Sequence, residues 1–283
     1  MMHPQYPRMT DSWSIDMNPL KRVLAFAVVA LTTALFAAPV SAQNTPAIGI
    51  VVMHGKGGGP GGLVKPLADG LEARGFSVAN LQMPWSRDRK YDVDVATAVK
   101  EVNAAVAELR SKGTKKIFIA GHSQGAVFAI YFAGLHAPDG LIIIAPGGDV
   151  STNFYRQQVG RSVSRAKDQI AAGKGGETDD YDESEGGKNW TVRTTAAIYF
   201  SWFDPDGAMN QLKSSAALPK TLPVLHVAPT SDYPALLRAK QDMFRALPDH
   251  PLKRLYEPNS DHRNAPRDAI DAIAGWIGEV AAK

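Results

Sequence analysis

Lys116-Ile-Phe-Ile-Ala120-Gly121-His122-Ser123-Gln124-Gly125-Ala-Val-Phe-Ala-Ile-Tyr-Phe-Ala133 runs from an apolar strand-like stretch, through G-x-S-x-G, straight into an apolar stretch at helical length. The pentapeptide alone is a weak signal, because Gly and Ser are common residues. Its place between a strand and a helix gives it a mechanical meaning. A turn that tight forces the central serine into a strained backbone conformation and leaves room only for glycine on either side. The helix that follows aims its free N–H groups at the turn. The competing reading is a purely structural Gly-rich turn.

Working outward, strand-like and helix-like segments alternate. Ile48–Met53 is a short apolar run that stops at His54-Gly55, and a Gly/Pro-rich loop follows. A helical stretch covers about Leu63 to Arg74, and a strand Phe76–Met83 ends at Pro84. Val95, Val99, Val102, Val106 and Leu109 recur at helical spacing within Val93–Leu109. Strands are predicted again at Lys116–Ala120, Leu141–Ala145, Leu222–Val227 and Leu252–Tyr256. Helices are predicted at Gln124–Leu135, Tyr233–Leu247 and Arg267–Val280. Continuous apolar strands alternating with helices predict a mainly parallel twisted sheet covered on both faces.

The chain resembles the α/β-hydrolase superfamily, esterase- and lipase-like, from about Ile48 to the C-terminal helix, in motif order as well as in the Gly121–Gly125 pentapeptide. That family places nucleophile, acid and histidine in this order along the chain. The resemblance implies Ser123 as nucleophile. It implies Asp232 as the acid, in Ala228-Pro-Thr-Ser-Asp232 after the next-to-last strand. It implies His262 as the base, in Glu257-Pro-Asn-Ser-Asp-His262 after the last strand. It also implies an oxyanion hole of two backbone N–H groups, one from Gln124 and one from the His54-Gly55-Lys56-Gly57-Gly58-Gly59 loop, assigned to Lys56.

The residue types suit acyl transfer. A serine hydroxyl is a poor nucleophile near neutral pH, so a histidine must take its proton, and an acid must hold that histidine in one tautomer. A surface-loop histidine and a turn-forming aspartate are the bland readings of His262 and Asp232. Asp204 and Asp206, in Phe203-Asp-Pro-Asp-Gly207, stand as rivals for the acid if residues 195–203 form a strand of the sheet. Asp261 is set aside because a neighbour in sequence cannot easily brace the far nitrogen of His262. His54 reads as a loop organiser, and His226, His136 and His250 as structural. No pair of histidines has metal-ligand spacing beside a carboxylate, so no metal is expected. No cofactor is required, and the Gly-rich loop lacks the Gly-Lys-Ser/Thr of a phosphate-binding loop.

Residues 149–193 break the rhythm. They are polar and contain Ala172-Gly-Lys-Gly-Gly176 followed by the acidic run Glu177–Glu185, so the segment is expected to be an irregular, mobile insertion in the 43–283 hydrolase domain. For Asn153–Arg165 a lid competes with a solvated surface; for the acidic run the solvated reading is taken. Tyr199–Phe203 reads as core packing, with lining of an acyl pocket as the alternative.

Residues 17–42 read as a cleavable signal peptide. Lys21 and Arg22 precede an uncharged run, Val23–Ala38, and Val40-Ser-Ala42 puts small residues ahead of Gln43. The run is shorter than the roughly 20 residues of a comfortable span, so no stable membrane anchor is expected and the protein is placed outside the cytoplasm, secreted or periplasmic. Residues 1–16 do not fit before such a leader, and translation is expected to begin at Met17. With no cysteine among 283 residues, disulfides and thiolate chemistry are excluded. The formal charge of +3 is spread without a basic stripe, which argues against nucleic acid as a partner. The expected partner is a small-molecule or lipid-like ester. A cofactor-free perhydrolase or haloperoxidase, and a non-catalytic binding protein of the same fold, stay open beside the esterase.

Overall fold

β1 (Ile48–Met53) pairs in parallel with both β2 (Ser77–Leu81) and β3 (Lys116–His122), because its β-branched residues serve two covered faces at once. Ile50 and Val52 point into one hydrophobic cluster and Val51 and Met53 into the other. The computed structural model describes residues 47–185 and 188–283. The expectations placed on residues 1–16 and 17–42, with cleavage before Gln43, lie outside the described residues.

β4 (Gly140–Ile144), β7 (Val224–Val227) and β8 (Arg254–Tyr256) complete a six-stranded parallel sheet of order β2-β1-β3-β4-β7-β8. All six strands read from the sequence are present: β1 as read, β2, β7 and β8 shortened, β3 running on to His122, and β4 shifted to start at Gly140. The helices α1 (Lys65–Glu72) and α9 (Ile270–Ala281) cover one face, preceded in the latter case by the single turn α8 (Ala265–Asp268). α2 (Val95–Ser111) and α3 (Gln124–His136) cover the other. Asp94 caps α2 by accepting from the Thr97 amide. α3 is apolar all round and buried along most of its length, as a helix between sheet and a further layer must be. α7 (Pro234–Ala246) joins β7 to β8.

Between β4 and β7 the structure overturns the expectation of an irregular, mobile segment. α4 (Asn153–Ala171) opens on a Thr152 cap and buries Tyr155, Val159, Ser162 and Ala166 along one face. β5 (Thr178–Glu185) and β6 (Lys188–Thr195) form an antiparallel hairpin that packs on α4 and on α5 (Ala196–Phe203). A short helix, α6 (Gln211–Ala216), leads back towards the sheet. Composition misled because the inward positions of β5 need no apolar side chains. Tyr181 stacks on Tyr199 with ring centroids 4.3 Å apart, and the Tyr199 ring stacks on Phe203 at 4.4 Å. Glu183 is fully buried, but both carboxylate oxygens meet polar partners, Lys56 and Tyr91, which offsets the cost of burying it. Within the acidic run Tyr181, Glu183 and Ser184 are interior, and the solvated reading fails at Glu183. Residues 196–203 are helix, and Tyr199, Trp202 and Phe203 belong to the core.

Candidate functional site

Ser123 lies between β3 and α3 at φ 54°, ψ −121°, a conformation that side-chain-bearing residues rarely adopt. The flanking glycines permit it. A Cβ on Gly121 would stand 2.2 Å from the Gly125 carbonyl oxygen, and one on Gly125 would stand 2.6 Å from the carbonyl oxygens of Met53 and His54. The Ser123 amide donates to the Ile144 carbonyl at 2.9 Å, which ties the turn to the end of β4.

The loops after β7 and β8 run side by side. Ala228, Thr230 and Ser231 amides donate to the carbonyls of Tyr256, Pro258 and Ser260 at 2.8, 3.0 and 2.9 Å. This zipper sets Asp232 beside His262, thirty residues further along. His262 Nδ1 donates to Asp232 Oδ1 at 2.8 Å, and the Tyr233 amide donates to the same oxygen at 2.6 Å. His262 Nε2 faces Ser123 Oγ at 3.0 Å. The three residues are 7–9% exposed. With Nδ1 protonated and held, Nε2 carries a free lone pair towards the hydroxyl, so the imidazole can accept that proton.

The rivals Asp204 and Asp206, and likewise Asp261, are engaged by other groups. Asp204 caps the C-terminus of α5 and accepts from the Asp206 amide at 3.0 Å. Asp261 accepts from the amides of Arg263 and Asn264 at 2.9 and 2.8 Å, and Asn264 holds its carboxyl below the usual aspartate range. None of the three hydrogen-bonds His262.

Two histidines set the frame. His54 Nδ1 donates to the Gly55 carbonyl at 2.7 Å, while its Nε2 accepts from the Met83 amide at 3.0 Å. Burial holds its pKa below the ordinary value, so it organises the loop as a neutral ring. His122 Nε2 donates to the His262 carbonyl at 2.8 Å. Burial, then the charge of His262 when protonated, lowers the His122 pKa to about 3. His122 thus positions the His262 backbone, a role missed in the sequence, although its place inside the pentapeptide was the available signal. Tyr233 was missed too: its ring lies 4.5 Å from that of His262 and is half exposed at the rim.

The first-strand loop reaches Ser123 closely: a Cβ on Gly55 would stand 3.0 Å from Ser123 Cβ. The next residue, Lys56, turns its side chain inward. Its Nζ donates to Glu183 Oε1 at 2.7 Å, to the Ser184 carbonyl at 3.0 Å and to the Tyr155 hydroxyl. Burial alone would lower its pKa, but Glu183 and Tyr155 outweigh that and keep it raised and charged. Tyr91 donates to the other Glu183 oxygen at 2.6 Å, and Gln124 Nε2 donates to the Tyr91 hydroxyl at 3.1 Å. No feature of the sequence signalled this network, because Lys56 and Glu183 are 127 residues apart. Among the described residues no cluster of three or more His, Asp or Glu could hold a metal ion, and no helix is long and apolar enough to cross a membrane.

A sequence-family model described as "Serine aminopeptidase, S33" matches residues 45–184, the part that carries β1 to β4 and the Gly121–Gly125 turn. No curated protein sequence matches the chain. Among solved structures, the Paleococcus ferrophilus monoacylglycerol lipase aligns at TM-score 0.55 and 19% identity, covering 82% of this chain and 94% of that one. A thermostable carboxyl esterase from Bacillus coagulans aligns at 0.57 and 17%, covering 83% and 91%. Est1E from Butyrivibrio proteoclasticus, with ferulic acid bound, aligns at 0.56 and 15%, covering 85% and 92%. At such identities the likeness speaks for the fold. With the parallel sheet, the serine turn after β3 and the order Ser123, Asp232, His262 along the chain, these matches agree: the chain has the α/β-hydrolase fold.

Proposed function

We propose that the protein is a serine hydrolase that cleaves an ester or related acyl bond through an acyl-enzyme on Ser123. The observation that carries this reading is the unbroken series Asp232, His262, Ser123, joined at 2.8 and 3.0 Å. His262 Nε2 takes the Oγ proton as Oγ attacks the carbonyl carbon. Asp232 keeps the other ring nitrogen protonated and offsets the charge of the imidazolium. The backbone N–H groups of Gln124 and Lys56 hold the oxyanion of the tetrahedral intermediate. His262 then returns its proton to the leaving alcohol, and a water repeats the cycle to release the acid. The closeness of Gly55 to Ser123 supports Lys56 as the second donor.

The substrate class we infer is a small-molecule or lipid-like ester, and a panel of acyl esters of graded chain length ranks it. Ser123→Ala should fold and lose several orders of magnitude in hydrolysis, and a fluorophosphonate should label the wild type once, at Ser123. Full activity in the Ala variant, or labelling elsewhere, refutes the reading. Asp232→Asn should lose at least ~10²-fold in kcat/KM, given the ~10⁴-fold loss of a serine protease that lost its acid. Asp204→Asn and Asp206→Asn should each stay within about tenfold.

We further propose that residues 17–42 direct export and are removed. Mass spectrometry of protein from a periplasmic or culture fraction should then find an N-terminus at Gln43; residue 1 retained there refutes it.

A further inference from the structure

Resting on the acyl-transfer reading above, we propose that Glu183 is a positioning residue for the oxyanion hole, so that the hairpin of the insertion is a fixed part of the catalytic frame. Both residues whose amides hold the oxyanion send their side chains to this one carboxylate. Lys56 reaches Oε1 directly, and Gln124 reaches Oε2 through the Tyr91 hydroxyl. Glu183 is fully buried and also accepts from the Ser184 amide at 2.7 Å.

The first-strand loop needs such a tether. Lys56 is followed by Gly57, Gly58 and Gly59, which have no side chains with which to fix a register. Two backbone bonds, Gly57 to the Trp85 carbonyl and Gly58 to the Gly55 carbonyl, hold the loop from one side. On the other side the Lys56 side chain is its anchor, gripped by Glu183, the Ser184 carbonyl and Tyr155. Tyr91 shows how firmly the far end is held. It and Lys90 are both in the left-handed region, at φ 59° and 52°, which side-chain-bearing residues adopt only where their surroundings impose it. Oxyanion donors must meet the developing charge within a few tenths of an ångström. A loop free to shift therefore loses transition-state stabilisation before it loses substrate binding.

The test replaces the ion pair by apolar chains of similar volume, Lys56→Met with Glu183→Met. Tyr91 and Tyr155 keep partners in Gln124 and the Ser184 carbonyl. Buried ion pairs exchanged in this way commonly keep or gain stability. The double variant is expected to fold and to lose about tenfold or more in kcat. KM should stay within about threefold, and the inhibition constant of phenylboronic acid, which mimics the tetrahedral state, should rise in step with the lost kcat/KM. Tyr91→Phe, which removes the hydroxyl that bridges Gln124 to Glu183 Oε2 and leaves the Lys56–Glu183 pair in place, should lower kcat by about threefold to tenfold and decides the matter if the double variant does not fold. A folded double variant with wild-type kcat and boronate affinity, or an unaffected Tyr91→Phe where only that variant folds, overturns the proposal. Wild type left unlabelled at Ser123 by a fluorophosphonate would instead overturn the acyl-enzyme reading beneath it.

Discussion

The strained turn at Ser123 makes its substitutions informative in opposite directions. Glycine relieves the unfavourable φ at the cost of a more flexible unfolded chain, so Ser123→Gly should be inactive yet about 1 kcal/mol more stable than wild type by denaturant melting. Gly121→Ala should cost at least ~3 kcal/mol, because its new Cβ meets backbone instead of a side chain that can move aside. The buried histidines give the fold an acid limb. In the folded protein burial lowers the pKa of His122 to about 3 and that of His226 to about 4, from an ordinary value of 6.5. Below pH 6.5 the unfolded chain therefore binds protons that the folded one refuses. Stability is full above 6.5 and falls as pH drops towards 4. The Tm should fall over that window, and His226→Leu should flatten the slope without moving the neutral-pH limb. Ser123, Asp232 and His262 were legible because their spacing along the chain follows the order of strands. Glu183 was not, because an acidic side chain in Thr178-Asp-Asp-Tyr-Asp-Glu-Ser-Glu185 looks solvated until its cation is known.

At the scale of elements, the six strands were legible from their apolar runs, whereas the hairpin was hidden by its composition. β5 alternates inward Tyr181 and Glu183 with exposed carboxylates, a strand pattern written almost entirely in polar letters. What welds the hairpin to α5 is the aromatic column Tyr181, Tyr199, Phe203, while the Tyr181 hydroxyl ties it to α4 by donating to Gln169 Oε1 at 2.6 Å. Tyr181→Ala should therefore destabilise by about 3 kcal/mol or more, and the loss should appear as protease sensitivity within residues 178–195. An unchanged urea midpoint would mean that the hairpin adds little to the fold.

For the whole molecule, the strand order has a kinetic consequence. β4 and β7 are neighbours in the sheet although roughly 80 residues separate them, and closing a loop of that length is slow relative to local hairpin and helix formation. β3 and β4 are close in sequence, joined through α3, and can pair early, which brings the Ser123 turn between them into being first. β7 and β8, whose loops bring Asp232 and His262, must wait for that closure. Refolding should then pass through a species that has gained most of its secondary structure while Ser123 stays inert, and reactivity towards a fluorophosphonate should return only with the slowest phase.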